Sequence, residues 1–207
     1  MLILAARYLL PVSQSPIRDG ALLIEGSHIR AVGPRMSLRR QYPGTAVRDL
    51  GEAVLLPGLV NVHTHLELSA LRGDVPPGHS FVDWVLNLLQ RKRDLSWEAY
   101  AAAAEEGAAE LTRSGTTCVG DVTATGASLA GLRKSGLRAV VYREVIGLHD
   151  AGAEQSAETP FAHLAAMRDE VQGNPIEVGI SPHATYSVSP GLFRVCREFQ
   201  QRLGLKA

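Results

Sequence analysis

Pro57-Gly58-Leu59-Val60-Asn61-Val62-His63-Thr64-His65-Leu66-Glu67-Leu68-Ser69 is the stretch whose reading decides the fold. Its apolar run from Leu59 to His63 predicts a parallel strand buried on both faces by helices. The strand ends in a His-x-His pair. Alternate strand side chains point the same way, so His63 and His65 share a face with their rings close together. Two convergent imidazoles supply half the donors of a four-coordinate metal site. The plain alternative is a pair of polar residues where a strand meets its loop.

Outward from this stretch the two sides differ in texture. Residues 1–56 read as short strands over 2–10, 21–25, 28–32, 46–50 and 53–56. Gly20, Gly26 and Gly33-Pro34 are expected turns between them, and the stretch around Arg39-Arg40-Gln41 a polar connection. That spacing predicts a small β-sandwich segment, with His28 a solvated turn residue. Residues 57–207 alternate strands with helices. Helices are expected over 81–89, 97–114 (capped by Ser96), 127–134, from Pro160 (capped by Thr159) and from Ser189-Pro190, and further strands over 116–120, 138–144 and 176–180. Trp97, Tyr100, Ala101, Ala104, Ala108 and Leu111 form the inward stripe of the second helix. Four strand-then-helix units in succession predict an α/β fold: a partial TIM-type (β/α) barrel of about four βα units. Such barrels place their sites at the C-terminal ends of the strands.

Twenty-one basic residues balance twenty-one acidic ones, so no overall field favours nucleic acid or an anionic membrane. Cys118 and Cys196 make no disulfide framework, Cys196 falling on an apolar helix stripe, and this fits a reducing compartment. The apolar start is interrupted by Arg7, is too short to span a bilayer and lacks the pattern of a signal peptide. A soluble, cytoplasmic protein is expected.

The strand ends carry the candidate polar groups. His183, in Ser181-Pro182-His183-Ala184, follows the fourth strand, Asp121 ends the second and Glu144 the third. Glu67 lies two residues beyond His65. Each carboxylate could meet a substrate, or serve more plainly: Asp121 as a helix cap, Glu144 as a partner of Arg143 or Arg138. His79, His149 and His163 fall in loops or on a helix face and are set aside. No Gly-x-Ser-x-Gly elbow or Walker loop is present, and the distant cysteines rule out the Pro-Cys-x-x-Cys zinc deaminases.

Residues 56–65, Gly115-Thr116-Thr117 and Ser181-Pro182-His183-Ala184-Thr185-Tyr186-Ser187-Val188-Ser189 resemble, in order, three blocks of the amidohydrolase superfamily. The likeness is to its branch of cytosine deaminases, chlorohydrolases (TRZ/ATZ type) and adenosine-type deaminases. His65-Leu66-Glu67-Leu68-Ser69 with Phe81-x-x-Trp84 is similar to the aminofutalosine deaminase subgroup of menaquinone synthesis. The resemblance implies His63 and His65 as ligands of one divalent metal, zinc or alternatively iron, and His183 as a substrate-side group. It also implies a small heterocyclic substrate and hydrolytic deamination of a purine-type ring; Glu67, Glu144 and Asp121, from their places near the strand ends, and Trp84 are the further candidate substrate contacts, and a homo-oligomer is an option. Alternative substrates are S-adenosylhomocysteine, methylthioadenosine, guanine and, for dechlorination, triazines. The family's His-x-x-Glu strand, later His strand and Asp strand are expected beyond Ala207. On that reading the chain is an N-terminal half with an incomplete catalytic set and no turnover of its own. The alternative is a non-catalytic fragment that a partner complements.

Overall fold

β1 (Leu2–Leu9) is the central strand of the first of two compact units, Met1–Gly58 and Leu59–Ala207, in the computed structural model, which describes residues 1–207. It pairs antiparallel with β2 (Ile17–Glu25), which pairs antiparallel with β3 (His28–Pro34). On its other side it pairs in parallel with β4 (Ala46–Asp49) and β5 (Val54–Leu55). Helix α1 (Arg35–Gln41) adds a second layer, burying Leu38 with Ile3, Ala5, Ala21 and Leu23. The helix corrects the expected polar connection. Pro34, at φ −60°, closes β3 and leads straight into α1, so Gly33-Pro34 is no turn, and the single apolar Leu38 docks on the sheet. Gly20 likewise continues β2 opposite Ala6, while Gly26 turns the chain with φ +58°.

The second unit holds four parallel strands: β6 (Leu59–Thr64), β7 (Thr116–Thr123), β8 (Arg138–Val145) and β9 (Ile176–Pro182), in the order β6-β7-β8-β9. Sequential order with a helix after each strand is the winding of a (β/α) barrel. The helices are α2 (Phe81–Arg93), α3 (Trp97–Arg113), α4 (Ser128–Ser135), α5 (Ala153–Glu170) and α6 (Pro190–Leu203). Ser96 and Ser189 cap α3 and α6 by accepting from Ala99 N and Leu192 N, and Gly136 and Gly204 end α4 and α6 at positive φ.

The helices α3 to α6 cover one face of the sheet. Val119, Ala139, Val141, Val145, Ile176, Val178 and Ile180 pack there against Ala104, Ala108, Leu132, Leu164, Leu192, Cys196 and Phe199. Trp97, expected in the α3 stripe, is half exposed, and Gly107 joins the stripe instead. A Cβ at Gly107 would meet Ser69 Oγ at 2.8 Å, because α3 lies against a short 3-10 helix, Leu66–Leu71.

Two further expectations are corrected. α5 begins at Ala153, with Pro160 inside it, since buried Ala153, Ala157, Leu164 and Met167 form one helical stripe. Their burial outweighs a cost of about 3 kcal/mol for an interior proline. β6, expected buried on both faces, is an edge strand with β7 as its one neighbour, and Val60 and Val62 are 60% and 79% exposed. No helix is long and apolar enough to cross a membrane.

Candidate metal centre

Register divides the polar residues at the strand ends between the two faces of the sheet. β8 pairs Gly120 with Val140 and Val122 with Tyr142 on one side, and Tyr142 with Gly179 and Glu144 with Ser181 on the other. Paired residues of parallel strands share a face, so Tyr142, Glu144, Ser181 and, two residues on, His183 line the face away from the helices. Asp121, Thr123 and Arg143 alternate with them and point to the helix side, among the core residues.

β6 joins this pattern through a bulge. Its pairing advances from Asn61↔Val119 to Thr64↔Asp121, one extra residue on β6. Thr64 therefore sits beside Asp121 on the helix side, and His63 and His65 fall on the open side. Gly120 permits the approach: a Cβ there would lie 2.5 Å from the Val62 carbonyl oxygen.

The two imidazoles stand edge to face with centroids 5.2 Å apart. Neither ring nitrogen pair is engaged by a hydrogen bond, the bond at His63 being its backbone amide donating to Asn61 Oδ1. Two imidazoles sharing one tetrahedral zinc through Zn–N bonds of about 2.0–2.1 Å hold their ring centres roughly 5 Å apart. The pair thus fits a shared divalent metal in donor type and in spacing. No group of three or more His, Cys, Asp or Glu side chains gathers at metal-binding distance in residues 1–207.

His183 is exposed, and its Nδ1 lies 2.6 Å from Ser187 Oγ. Ser187 Oγ donates its proton to the Ala184 carbonyl, 3.2 Å away. With the Ser187 hydroxyl turned to Ala184, the tautomer that donates Nδ1–H to Ser187 is the one that leaves a lone pair on Nε2. Glu144 is half-buried on the same face. Its carboxylate takes no ion pair, the expected partner Arg143 reaching its backbone carbonyl instead. Trp84 lies on α2, which buries none of its side chains, and its ring stacks on Phe81 at 6.0 Å rather than on either histidine.

Glu67 and Asp121 occupy the other face, which revises the substrate contact expected of them. Glu67 is 1% exposed and accepts from Thr123 Oγ1 (2.6 Å), Ala124 N (2.8 Å), Thr125 Oγ1 (2.6 Å) and Thr125 N (3.4 Å). Asp121 is fully buried; its Oδ1 accepts from Leu66 N at 2.7 Å, and its Oδ2 has no partner. Burial pushes the Asp121 carboxyl up to about 6, opposed by the Leu66 amide and aided by the nearby Glu67 charge.

Sequence reasoning missed Arg143 as more than an ion-pair partner. It is buried, donates to the Thr123 and Glu144 carbonyls and leaves Nε unpartnered. Burial lowers its pKa, against the opposing charges of Glu67 and Glu144. The one signal was its parity, odd like that of Val141 and Val145. A surface hollow of about 440 Å³, lined by Trp97, Arg133, His163 and Met167 and by Thr125 and Gly126 of the turn after β7, contains none of His63, His65, Glu144 and His183.

Comparison with known proteins matches residues 54–207 to the amidohydrolase family, and residues 20–44 to an imidazolonepropionase-like composite domain of bacteria. The chain is 32% identical over 199 residues to a 5-methylthioadenosine/S-adenosylhomocysteine deaminase of Nitratidesulfovibrio vulgaris, covering 93% of this chain and 44% of that one. It is 33% identical over 194 residues to an aminodeoxyfutalosine deaminase of Deinococcus radiodurans, with the same two coverages. A crystal structure of an adenosine deaminase from Xanthomonas campestris with bound zinc superposes with a TM-score of 0.78 at 25% identity, over 99% of this chain and 47% of that one. The chain spans about half the length of the curated relatives it matches. The match over residues 54–207 shows that the chain belongs to the amidohydrolase family.

Proposed function

We propose that this chain supplies the metal-binding histidine pair and part of the substrate face of a hydrolase that deaminates a 6-aminopurine nucleoside. The observation that carries the reading is the His63–His65 pair, 5.2 Å apart on the open face at the strand end. The relatives named as deaminases of 5-methylthioadenosine, S-adenosylhomocysteine and aminodeoxyfutalosine support the substrate class.

His63 and His65 would hold one divalent metal, and the zinc in the similar adenosine deaminase favours that ion. A zinc there supplies the Lewis acidity that makes water a nucleophile near neutral pH. In the overall reaction, water oxygen bonds to C6 of the purine, the C6–N bond breaks and the amine leaves as ammonia. His183 offers its bare Nε2, held in place by the Nδ1–Ser187 bond, to a donor on the ring or the ribose. Glu144, unpaired on the same face, accepts from substrate hydroxyls, and Trp84 offers a ring for stacking.

The test is ammonia release by the purified protein, as the cell makes it, from 5-methylthioadenosine, S-adenosylhomocysteine and aminodeoxyfutalosine with zinc present. Turnover of at least one, lost in His63→Ala and His65→Ala, is expected. Release from none, or unchanged rates in both variants, would overturn the reading.

A further inference from the structure

The ring nitrogens of His63 and His65 have no hydrogen-bond partner, so beyond the edge-to-face contact of the two rings no polar group orients the imidazoles. Metal-binding histidines are usually oriented through their second nitrogen. Here the direction of His65 is left to the backbone on either side of it. That backbone is fastened unusually well. Leu66 N donates to Asp121 Oδ1, and the next residue, Glu67, takes four hydrogen bonds from residues 123–125. Both carboxylates are fully buried, a costly placement unless donors are built to receive them.

The receiving turn is built in that way. Thr123 Oγ1 accepts from Gly126 N (2.8 Å) and donates to Glu67. Thr125 Oγ1 accepts from Ala127 N (3.1 Å) and also donates to Glu67. Each hydroxyl is thereby fixed as a donor toward the carboxylate. Glu67 thus ties the segment after His65 to the whole turn between β7 and α4, while Asp121 ties it to β7 itself.

We propose that Glu67 and Asp121 are positioning residues that set the angle at which His65 meets a metal. They act through residues 66 and 67 and touch neither metal nor substrate. The assignment rests on the metal reading of His63 and His65 above.

The test measures zinc dissociation constants, by competition with a chromogenic chelator, beside thermal unfolding without metal. Glu67→Gln keeps the shape but turns an amide toward the donors, and raises the constant by about 10- to 100-fold. Thr125→Val removes one donor and raises it by about 3- to 10-fold. The double variant is no weaker than Glu67→Gln alone, because both break one connection. Asp121→Ala weakens zinc binding, and Asp121→Asn, which keeps an acceptor for Leu66 N, restores it. A role confined to stability would lower the unfolding temperature and leave the constant of the folded protein unchanged. The proposal is therefore overturned by folded Glu67→Gln or Asp121→Ala protein that binds zinc within twofold of the unsubstituted protein. If Glu67→Gln does not fold, Thr125→Val and Asp121→Ala decide by the same measure. Unsubstituted protein that binds no zinc through His63 and His65 overturns the metal reading, and this proposal with it.

Discussion

The two faces of the β6–β9 sheet carry similar residues at their C-terminal ends and treat them in opposite ways. Toward the helices, Glu67, Asp121, Thr123 and Arg143 are buried and mostly engaged with one another or with backbone. Away from them, His63, His65, Glu144 and His183 are partly or wholly exposed and carry at most one hydrogen bond each through their ring or carboxylate. Burial with saturated hydrogen bonding spends a polar group on structure, whereas a polar group left open at a barrel mouth is available to a ligand. Residue type alone does not separate the two, since Glu67 and Glu144 are the same acid a few residues from a strand end.

Substitution should separate them by size of effect. Glu67→Leu leaves two hydroxyls and two amides, buried or partly buried, without an acceptor, and should lower the unfolding free energy by about 3–5 kcal/mol. Urea denaturation reads this. A loss below about 1 kcal/mol would place Glu67 with the open set.

Two members of the sealed set are imperfect, Arg143 at its Nε and Asp121 at its Oδ2, both buried without a partner. Burial raises the Asp121 carboxyl to about 6 in the folded state, against an ordinary 3.8. The folded state therefore holds the proton more tightly than the unfolded chain. The associated stability is fully present below about pH 4 and is lost as pH rises through 6. Glu67 deepens the effect by its charge, and Arg143 is the buried cation of the same face. Asp121→Asn should accordingly stabilise the protein at pH 8 by on the order of 2–3 kcal/mol and leave it nearly unchanged at pH 4. Unfolding temperatures at the two pH values check it, and equal shifts at both would contradict the burial argument.

Glu144→Gln, on the open face, should change stability by less than about 0.5 kcal/mol. It should raise KM for a nucleoside more than it lowers kcat. A large loss of stability would mean that Glu144 has a structural partner after all.

Much of this was legible in the sequence. The His-x-His pair, the Ser96 and Ser189 caps, Gly136 and the four-unit α/β alternation all declare themselves through local chemistry. The faces did not. A one-residue bulge between Asn61 and Thr64 decides where His63 and His65 point, and alternation by itself does not reveal a bulge. The role of Glu67 depends on donors 56 to 58 positions away, which no local pattern announces. α1 and the early start of α5 were hidden because burial of Leu38, Ala153 and Ala157 overrode the signals of Pro34 and Pro160.

The proposed metal donors are the first pair of open histidines, His63 and His65. A zinc titration followed through the imidazole ¹H–¹⁵N signals of the seven histidines of residues 1–207 tests this. His63 and His65 should shift together and saturate at one zinc per chain, with His183 unmoved. Zinc-dependent shifts at His183, His149 or His163 with His63 and His65 unchanged would contradict it.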